Sequence, residues 1–103
     1  MPTSKAALLT VSVVVPCHNA ARTLGACLRS VLAQTYQPME VLVVDDCSTD
    51  ESRSIAEDLG CRVLALPENR GASAARNAGV QATSGSIVFF LDADVALAPD
   101  ALA

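Results

Sequence analysis

Two aspartates one residue apart follow the most apolar segment of the chain. The run Ser86-Ile87-Val88-Phe89-Phe90-Leu91 is typical of a buried strand, and it ends at Asp92-Ala93-Asp94. An unpaired carboxylate is expensive to bury, so we expect a cleft here in which both side chains face a cation or a polar ligand. Hard divalent cations prefer carboxylate oxygens. An acidic turn without a ligand has the same composition, because aspartate is common in turns, and the pair alone does not separate the two interpretations.

Polar residues also follow two other apolar segments. Pro16-Cys17-His18-Asn19 comes after the β-branched residues 11–15, with Pro16 expected to stop that strand, and Asp45-Asp46-Cys47-Ser48 comes after a second predicted strand over residues 39–44. Because the carboxyl ends of parallel strands meet at one edge of a sheet, we expect these segments to surround one crevice together with Asp92 and Asp94.

The segments between the strands have helical features. Apolar residues recur at helical spacing up to about Thr35, with Asn19 as a candidate cap and Gln34 on the polar face. Ser48 with Glu51 is typical of a capping box that opens a short helix, and a third strand over residues 61–66 precedes an alanine-rich helix over residues 71–83. The alternation of strands and helices predicts an α/β fold with a parallel sheet. Right-handed crossovers then favour the strand order 3-2-1-4, with strand four returning beside strand one.

Composition excludes several classes of protein. The chain has 103 residues, enough for one small domain, of which 51% are hydrophobic and 17% charged, so it is globular. An aromatic content of 3%, a net charge of −4 and unclustered basic residues argue against a nucleic-acid surface. No apolar run is long enough to span a membrane and no signal peptide is evident, which predicts a cytoplasmic protein. Any attachment to the inner face of a membrane would come from residues outside this chain.

The four cysteines lack the spacing of a metal site. Cys17, Cys27, Cys47 and Cys61 include no Cys-x-x-Cys pair, and the chain has one histidine. We expect them to be reduced and mostly buried.

Four motifs together resemble the family-2 glycosyltransferases with the GT-A fold, a Rossmann-like nucleotide-diphospho-sugar transferase fold. They are Val-Ser-Val-Val-Val-Pro-Cys-His-Asn, Val-Leu-Val-Val-Asp-Asp-Cys-Ser-Thr-Asp, Asn-Arg-Gly-Ala-Ser-Ala-Ala-Arg-Asn-Ala-Gly and Phe-Phe-Leu-Asp-Ala-Asp, in that order from Val11 onward. The resemblance implies transfer of a sugar from a nucleotide-diphosphate donor, usually a uridine one, to the hydroxyl of an unknown acceptor such as a glycan, a lipid or a polymer. It also implies Mn²⁺ or Mg²⁺ as the cofactor.

The resemblance also implies roles for individual residues. Asp94 would bind the metal, and Asp92 would contact the ribose and reach the metal through water. Asp46 would accept the imide N–H of the base, and Pro16 would lie beside that base. Two further residues, Asn69 and Arg76, would line the nucleotide pocket.

Some of these residues have structural alternatives. Asp46 is also a plausible cap for the helix that follows it, Asn69 a plausible turn residue and Arg76 a plausible surface charge. The family often has glycine after the paired aspartates, where this chain has Cys47.

The resemblance implies that the chain is one part of a domain. Residues 1–10 form an amino-terminal tail, and residues 11–103 form the nucleotide-sugar-binding half of a truncated GT-A domain. The general base and the acceptor site are expected beyond Ala103, so we expect these 103 residues alone to be inactive. The alternatives are a non-catalytic nucleotide-binding fragment, a receiver-type domain or a haloacid-dehalogenase-type domain.

Overall fold

A computed structural model describes residues 10–102, so all but the last residue of the predicted tail 1–10 lies outside the described part. These residues form four strands and three helices in strict alternation. Their bounds are β1 Val11–Cys17, α1 Ala21–Leu32, β2 Glu40–Asp45, α2 Ser52–Asp58, β3 Arg62–Ala65, α3 Ala72–Ala82 and β4 Ile87–Phe90.

All strands belong to one parallel sheet in the order β3-β2-β1-β4, which confirms the predicted order. In register, Cys17 lies opposite Asp45 and Val14 opposite Phe90. A receiver domain has the order 2-1-3-4-5, so this sheet excludes that alternative.

The helices cover both faces of the sheet. Strand residues of odd number, such as Val13 and Val43, pack with Leu28 and the rest of the α1–α2 layer, whereas Val14 and Val44 face α3. This division follows from the two-residue period of a strand. Consecutive polar residues at a strand end therefore point to opposite faces of the sheet.

Pro16 does not end β1, which continues through Cys17. In a parallel strand the main-chain groups of alternate residues point to the same neighbour. The Val14 carbonyl accepts a hydrogen bond from the Leu91 N–H on the β4 side, so Pro16 also faces that side. The paired residues of β1 and β4 end at Val14 and Phe90, and the missing N–H of proline therefore costs no ladder bond.

The loops after β1 and β2 cap each other. Asn19 does not cap α1: its side-chain oxygen accepts the N–H of Thr49 at 2.8 Å and of Asp50 at 3.3 Å. The Asp50 carboxylate in turn accepts the N–H of Ala21 at the start of α1. Asn19 has a φ of 50°, a left-handed conformation that asparagine tolerates well.

The expected capping box of Ser48 and Glu51 does not form. Helix α2 begins at Ser52, whose N–H and hydroxyl both donate to the Asp50 carboxylate. The Ser48 hydroxyl instead accepts the N–H of Asn19 at 2.9 Å. Both loops are therefore fixed by contacts across the edge of the sheet, next to the predicted crevice.

At the opposite edge of the sheet, one carboxylate links three segments. Glu40 accepts hydrogen bonds from the Ser84 N–H at 2.8 Å and the Ser12 hydroxyl at 2.7 Å, and pairs with Arg62 at 2.8 Å. These bonds, led by that from Ser84, hold the pKa of the Glu40 carboxyl below its ordinary value of 4.5.

All four cysteines are free thiols, as predicted, and three of them are buried. Burial chiefly raises the pKa of the Cys27 thiol to about 11, and the nearby charges of Asp94 and Asp92 add to the rise. Within residues 10–102, each helix is too short or too polar to cross a bilayer.

Candidate functional site

The polar segments that follow β1, β2 and β4 lie at one edge of the sheet, as predicted. The Asp46 N–H donates to the Cys17 carbonyl at 2.8 Å, which joins the ends of β1 and β2. The Leu91 N–H bonds to Val14 at 3.0 Å, so the chain reaches Asp92 directly beside β1. The parallel direction of the strands places these segments together.

Asp46 is a buried carboxylate that holds the start of α3. The residue is 4% exposed, and its two carboxylate oxygens accept the N–H groups of Arg70 and Gly71, each at 2.8 Å. Asp46 therefore caps α3, which is distant in sequence, and not the helix that follows β2. Each carboxylate oxygen has a second lone pair, so Asp46 can still accept a hydrogen bond from a ligand.

A pocket of about 110 Å³ lies between the ends of β1 and β2 and the first turns of α3. Pro16, His18 and Asp46 line one side of it, and Ala72 and Ala75 line the other. The small alanine side chains leave the space open. The pocket is smaller than the roughly 300–1,000 Å³ typical of sites for drug-sized ligands, so it suits one ring of a ligand.

The residues around the pocket mouth are joined by His18. Its Nδ1 bonds to the Asp46 carbonyl at 2.7 Å, and because a carbonyl only accepts, Nδ1 carries the proton. The Asn69 amide then donates to Nε2 at 3.2 Å. The Asn69 oxygen also accepts the Gly71 N–H at 3.3 Å, so Asn69 is a turn residue that also contacts His18, which lines the pocket.

Arg76 lies on α3 one turn beyond Ala72, which lines the pocket. It is half-buried, and it has no hydrogen bond or ion pair within residues 10–102. Its guanidinium is therefore free to bind an anion near the pocket.

Asp92 and Asp94 are both exposed, while Ala93 between them is 8% exposed and packs in the core. The buried alanine fixes the turn, and the two carboxylates flank it on the solvent side. The turn is closed by the Val95 N–H, which donates to the Asp92 carbonyl at 3.0 Å. Neither carboxylate has a hydrogen bond or an ion pair in the described part of the chain.

The donor set of this turn fits a hard divalent cation. Magnesium in phosphate-transfer sites is typically held by one or two carboxylates, with waters and substrate phosphates completing its shell. Asp92 and Asp94 supply that number of carboxylates. Residues 10–102 contain no cluster of three or more histidine, cysteine or acidic side chains that could hold a metal ion.

Asp45 lies on the other face of the sheet from Asp46. It is 3% exposed, and within residues 10–102 its Oδ1 has no hydrogen-bond partner. Its register neighbour is Cys17, whose thiol pKa is raised mainly by burial and further by the charge of Asp45. A thiol with a raised pKa is a poor nucleophile, so Cys17 does not mark a cysteine-based active site.

A larger hollow, of about 320 Å³, lies at the opposite edge of the sheet beside Met39 and Gly60. Its charged residues, Glu40 and Arg62, are paired with each other. The unpaired carboxylates lie at the other edge, so the smaller pocket marks the candidate site.

Comparison with known proteins identifies the family of the chain. The family model described as "Glycosyl transferase family 2" matches residues 12–103. Glycosyltransferase GlyA of Streptococcus pneumoniae is 42% identical over 88 residues, which is 82% of this chain and 13% of GlyA. Succinoglycan biosynthesis protein ExoO of Rhizobium meliloti is 41% identical over 95 residues, covering 89% of this chain and 27% of ExoO. The chain thus spans less than a third of the length of each of these two relatives.

Solved structures share the fold. S. aureus TarS 1–349 in complex with UDP has a TM-score of 0.85 and 32% identity, over 91% of this chain and 30% of that one. Glucosyl-3-phosphoglycerate synthase from Mycobacterium tuberculosis, in complex with Mn²⁺, UDP and glucosyl-3-phosphoglycerate, has a TM-score of 0.76 and 32% identity, over 84% of this chain and 34% of that one. The predicted GT-A architecture is confirmed, and the chain belongs to glycosyl transferase family 2.

Proposed function

We propose that this chain is the donor-binding part of a glycosyltransferase. The enzyme transfers a sugar from a nucleotide-diphosphate sugar, uridine-linked, to an acceptor hydroxyl with the help of Mn²⁺ or Mg²⁺. One observation carries the proposal: the unpaired carboxylates of Asp92 and Asp94 share a sheet edge with a ring-sized pocket that contains the Asp46 carboxylate. UDP and Mn²⁺ in the similar structures support it.

In this proposal the base enters the pocket beside Pro16, where Asp46 accepts its imide N–H. Asn69 lies at the pocket mouth and Arg76 offers a positive charge to the ribose-phosphate part of the donor. These assignments agree with the positions of the side chains: Pro16 and Asp46 line one pocket, and the other two residues belong to the loop and helix that border it.

Asp94 and Asp92 would hold the cation, with Asp92 also facing the ribose. When bound, such a cation neutralises the negative charge that develops on the leaving diphosphate. The two carboxylates have no cationic partner within the described residues, so they are available for this role.

The chemistry at the acceptor is assigned to residues beyond this chain. On this proposal residues 11–103 form the nucleotide-sugar-binding half of the domain, and the general base and the site for a glycan, lipid or polymer acceptor follow Ala103. The whole protein would act in the cytoplasm, including at the inner face of a membrane if a further segment attaches it there.

The test is calorimetry with UDP, with and without manganese, on the full-length protein. We expect Asp94→Ala and Asp94→Asn to abolish manganese-dependent binding, because charge holds the cation, and Asp92→Ala to weaken it. Asp100→Asn is the matched control, since Asp100 is an exposed carboxylate of the same loop outside the pair. Equal affinity of the wild type and Asp94→Ala with manganese present would contradict the proposal.

A turnover assay with a panel of nucleotide sugars completes the test. Release of UDP that depends on both an acceptor and manganese supports a transferase. Tight binding of UDP by the full-length protein with no turnover of any donor would favour the non-catalytic alternative.

A further inference from the structure

The segment after the paired aspartates lies along α1, and three residues from that helix and from the turn after it hold the main chain of the segment. Cys27 and Ser30 lie on one face of α1, and Gln34 follows two residues after Leu32, the last residue of the helix. We refer to these three residues as the α1 ladder. The segment from Leu91 to Leu102 has no strand or helix of its own, so its path depends on contacts such as these.

The ladder anchors the segment on both sides of Asp94. The Cys27 thiol donates to the Asp92 carbonyl at 3.5 Å. The Ser30 hydroxyl accepts the Leu97 N–H at 2.9 Å. Asp94 is therefore enclosed by anchors two residues before it and three residues after it.

Gln34 makes the most extensive contacts in the ladder. Its amide nitrogen donates to the Ala98 carbonyl at 2.6 Å and to the Ser30 carbonyl at 3.1 Å, and its oxygen accepts the Leu102 N–H at 2.9 Å. Gln34 is 3% exposed, although the sequence pattern predicted it on the polar face of a helix; in the structure that helix ends at Leu32. With both N–H groups and the oxygen engaged, the amide has one satisfactory orientation.

We propose that Gln34 is a positioning residue for the metal-binding turn, on which it acts through the main chain of Ala98 and Leu102. The inference depends on the proposed function, because it assigns to the α1 ladder the placement of Asp94 for a cation. Release of the segment would let Asp94 move, and binding of the cation would then have to order the turn. Ordering even one or two residues costs enough to weaken binding about tenfold.

The inference predicts that loss of Gln34 weakens only the metal-dependent part of UDP binding. The base pocket is built by the ends of β1 and β2 and by α3, and none of its lining residues belongs to the ladder. A loss of position at Asp94 should thus weaken manganese-dependent binding of UDP and leave the binding of uridine, which has no diphosphate, unchanged. General destabilisation would not separate the two ligands in this way.

The experiment compares Gln34→Met, which preserves length but removes all three hydrogen bonds, with Ser30→Ala, a milder change that removes the anchor three residues after Asp94. Gln37→Met is the matched control, since the exposed Gln37 donates to the main-chain carbonyls of Leu32 and Gln34 and not to the segment from Leu91 to Leu102. We expect UDP with manganese to bind about tenfold more weakly to Gln34→Met and measurably more weakly to Ser30→Ala, with no change in Gln37→Met or in uridine affinity. Hydrogen exchange at the Leu97 and Leu102 amides should accelerate in Gln34→Met.

The outcomes separate this inference from the proposed function. Faster exchange at Leu97 and Leu102 with unchanged manganese-dependent affinity in Gln34→Met would overturn the inference alone. Equal losses for uridine and for UDP with manganese would also overturn it, since the ladder would then act on the whole domain. If the wild-type protein shows no manganese-dependent binding of UDP, the proposed function fails and the inference fails with it.

Discussion

Asp46 offers the sharpest test of the candidate site, because the structure gives it two roles. Its carboxylate accepts the N–H groups of Arg70 and Gly71 at the start of α3, and the same carboxylate lines the pocket. We therefore expect Asp46→Asn and Asp46→Ala to lower both the stability of the fold and the affinity for uridine.

The magnitude follows from the hydrogen bonds. A bond to a charged group contributes roughly 1.5–3 kcal/mol. Asparagine keeps one oxygen but presents an NH₂ group to the second N–H, so Asp46→Asn should lower the free energy of unfolding by about 2–3 kcal/mol. Asp46→Ala loses both bonds and should cost about 3–5 kcal/mol, less than the upper sum because Arg70 and Gly71 are exposed to water.

The assays are urea unfolding and calorimetry with uridine on the folded protein. Asp50→Ala is the matched control: Asp50 also accepts main-chain N–H groups, at the start of α1 and of α2, but it does not line the pocket. Asp50→Ala should lower stability without changing uridine affinity. A free energy of unfolding of Asp46→Asn equal to that of the wild type would refute the structural role. A uridine affinity of Asp46→Ala equal to that of Asp50→Ala would refute the ligand role.

Three further predictions concern the fold. Gly79→Ala should lower the free energy of unfolding by about 1–2 kcal/mol, because a methyl group there collides with Val14 and overpacking outweighs the gain in helix propensity. Gly25→Ala should raise the free energy of unfolding by about 0.5–1 kcal/mol. Urea unfolding of both variants tests the two opposite signs. Cys47 has a φ of 59°, so Cys47→Gly should raise the free energy of unfolding by about 0.5 kcal/mol, because relief of the left-handed strain exceeds the cost of the more flexible unfolded chain. Thermal unfolding measures this, and a lower free energy of unfolding would contradict it. The pKa of Glu40 is lowered in the folded state, so its contribution to the free energy of unfolding is present above pH 4.5 and is lost as the pH falls through the folded value. Glu40→Gln should therefore flatten the acid side of a plot of the free energy of unfolding against pH. An unchanged slope in that plot would argue against this role.

The sequence alone determined the architecture and the edge of the sheet at which the polar segments meet. Alternation of apolar segments predicted the strands, and the handedness of crossovers predicted the order 3-2-1-4, which the structure has. The exposure of Asp92 and Asp94 also follows from local pattern, because the small apolar Ala93 between them enters the core. These features depend on periodicity and chirality, which are readable over short stretches of chain.

Only the tertiary structure decided which groups the polar side chains serve. Asn19 and Ser48 have the composition of local caps, yet each bonds to a loop about 30 residues away. Asp46 caps a helix 25 residues further on, and Gln34, predicted on the polar side of a helix, follows the end of α1 and is buried against Leu102, 68 residues away. No periodicity connects such positions: a polar side chain bonds to whichever main-chain group the folded sheet brings within about 3 Å, and that neighbour exists only once the strands have assembled.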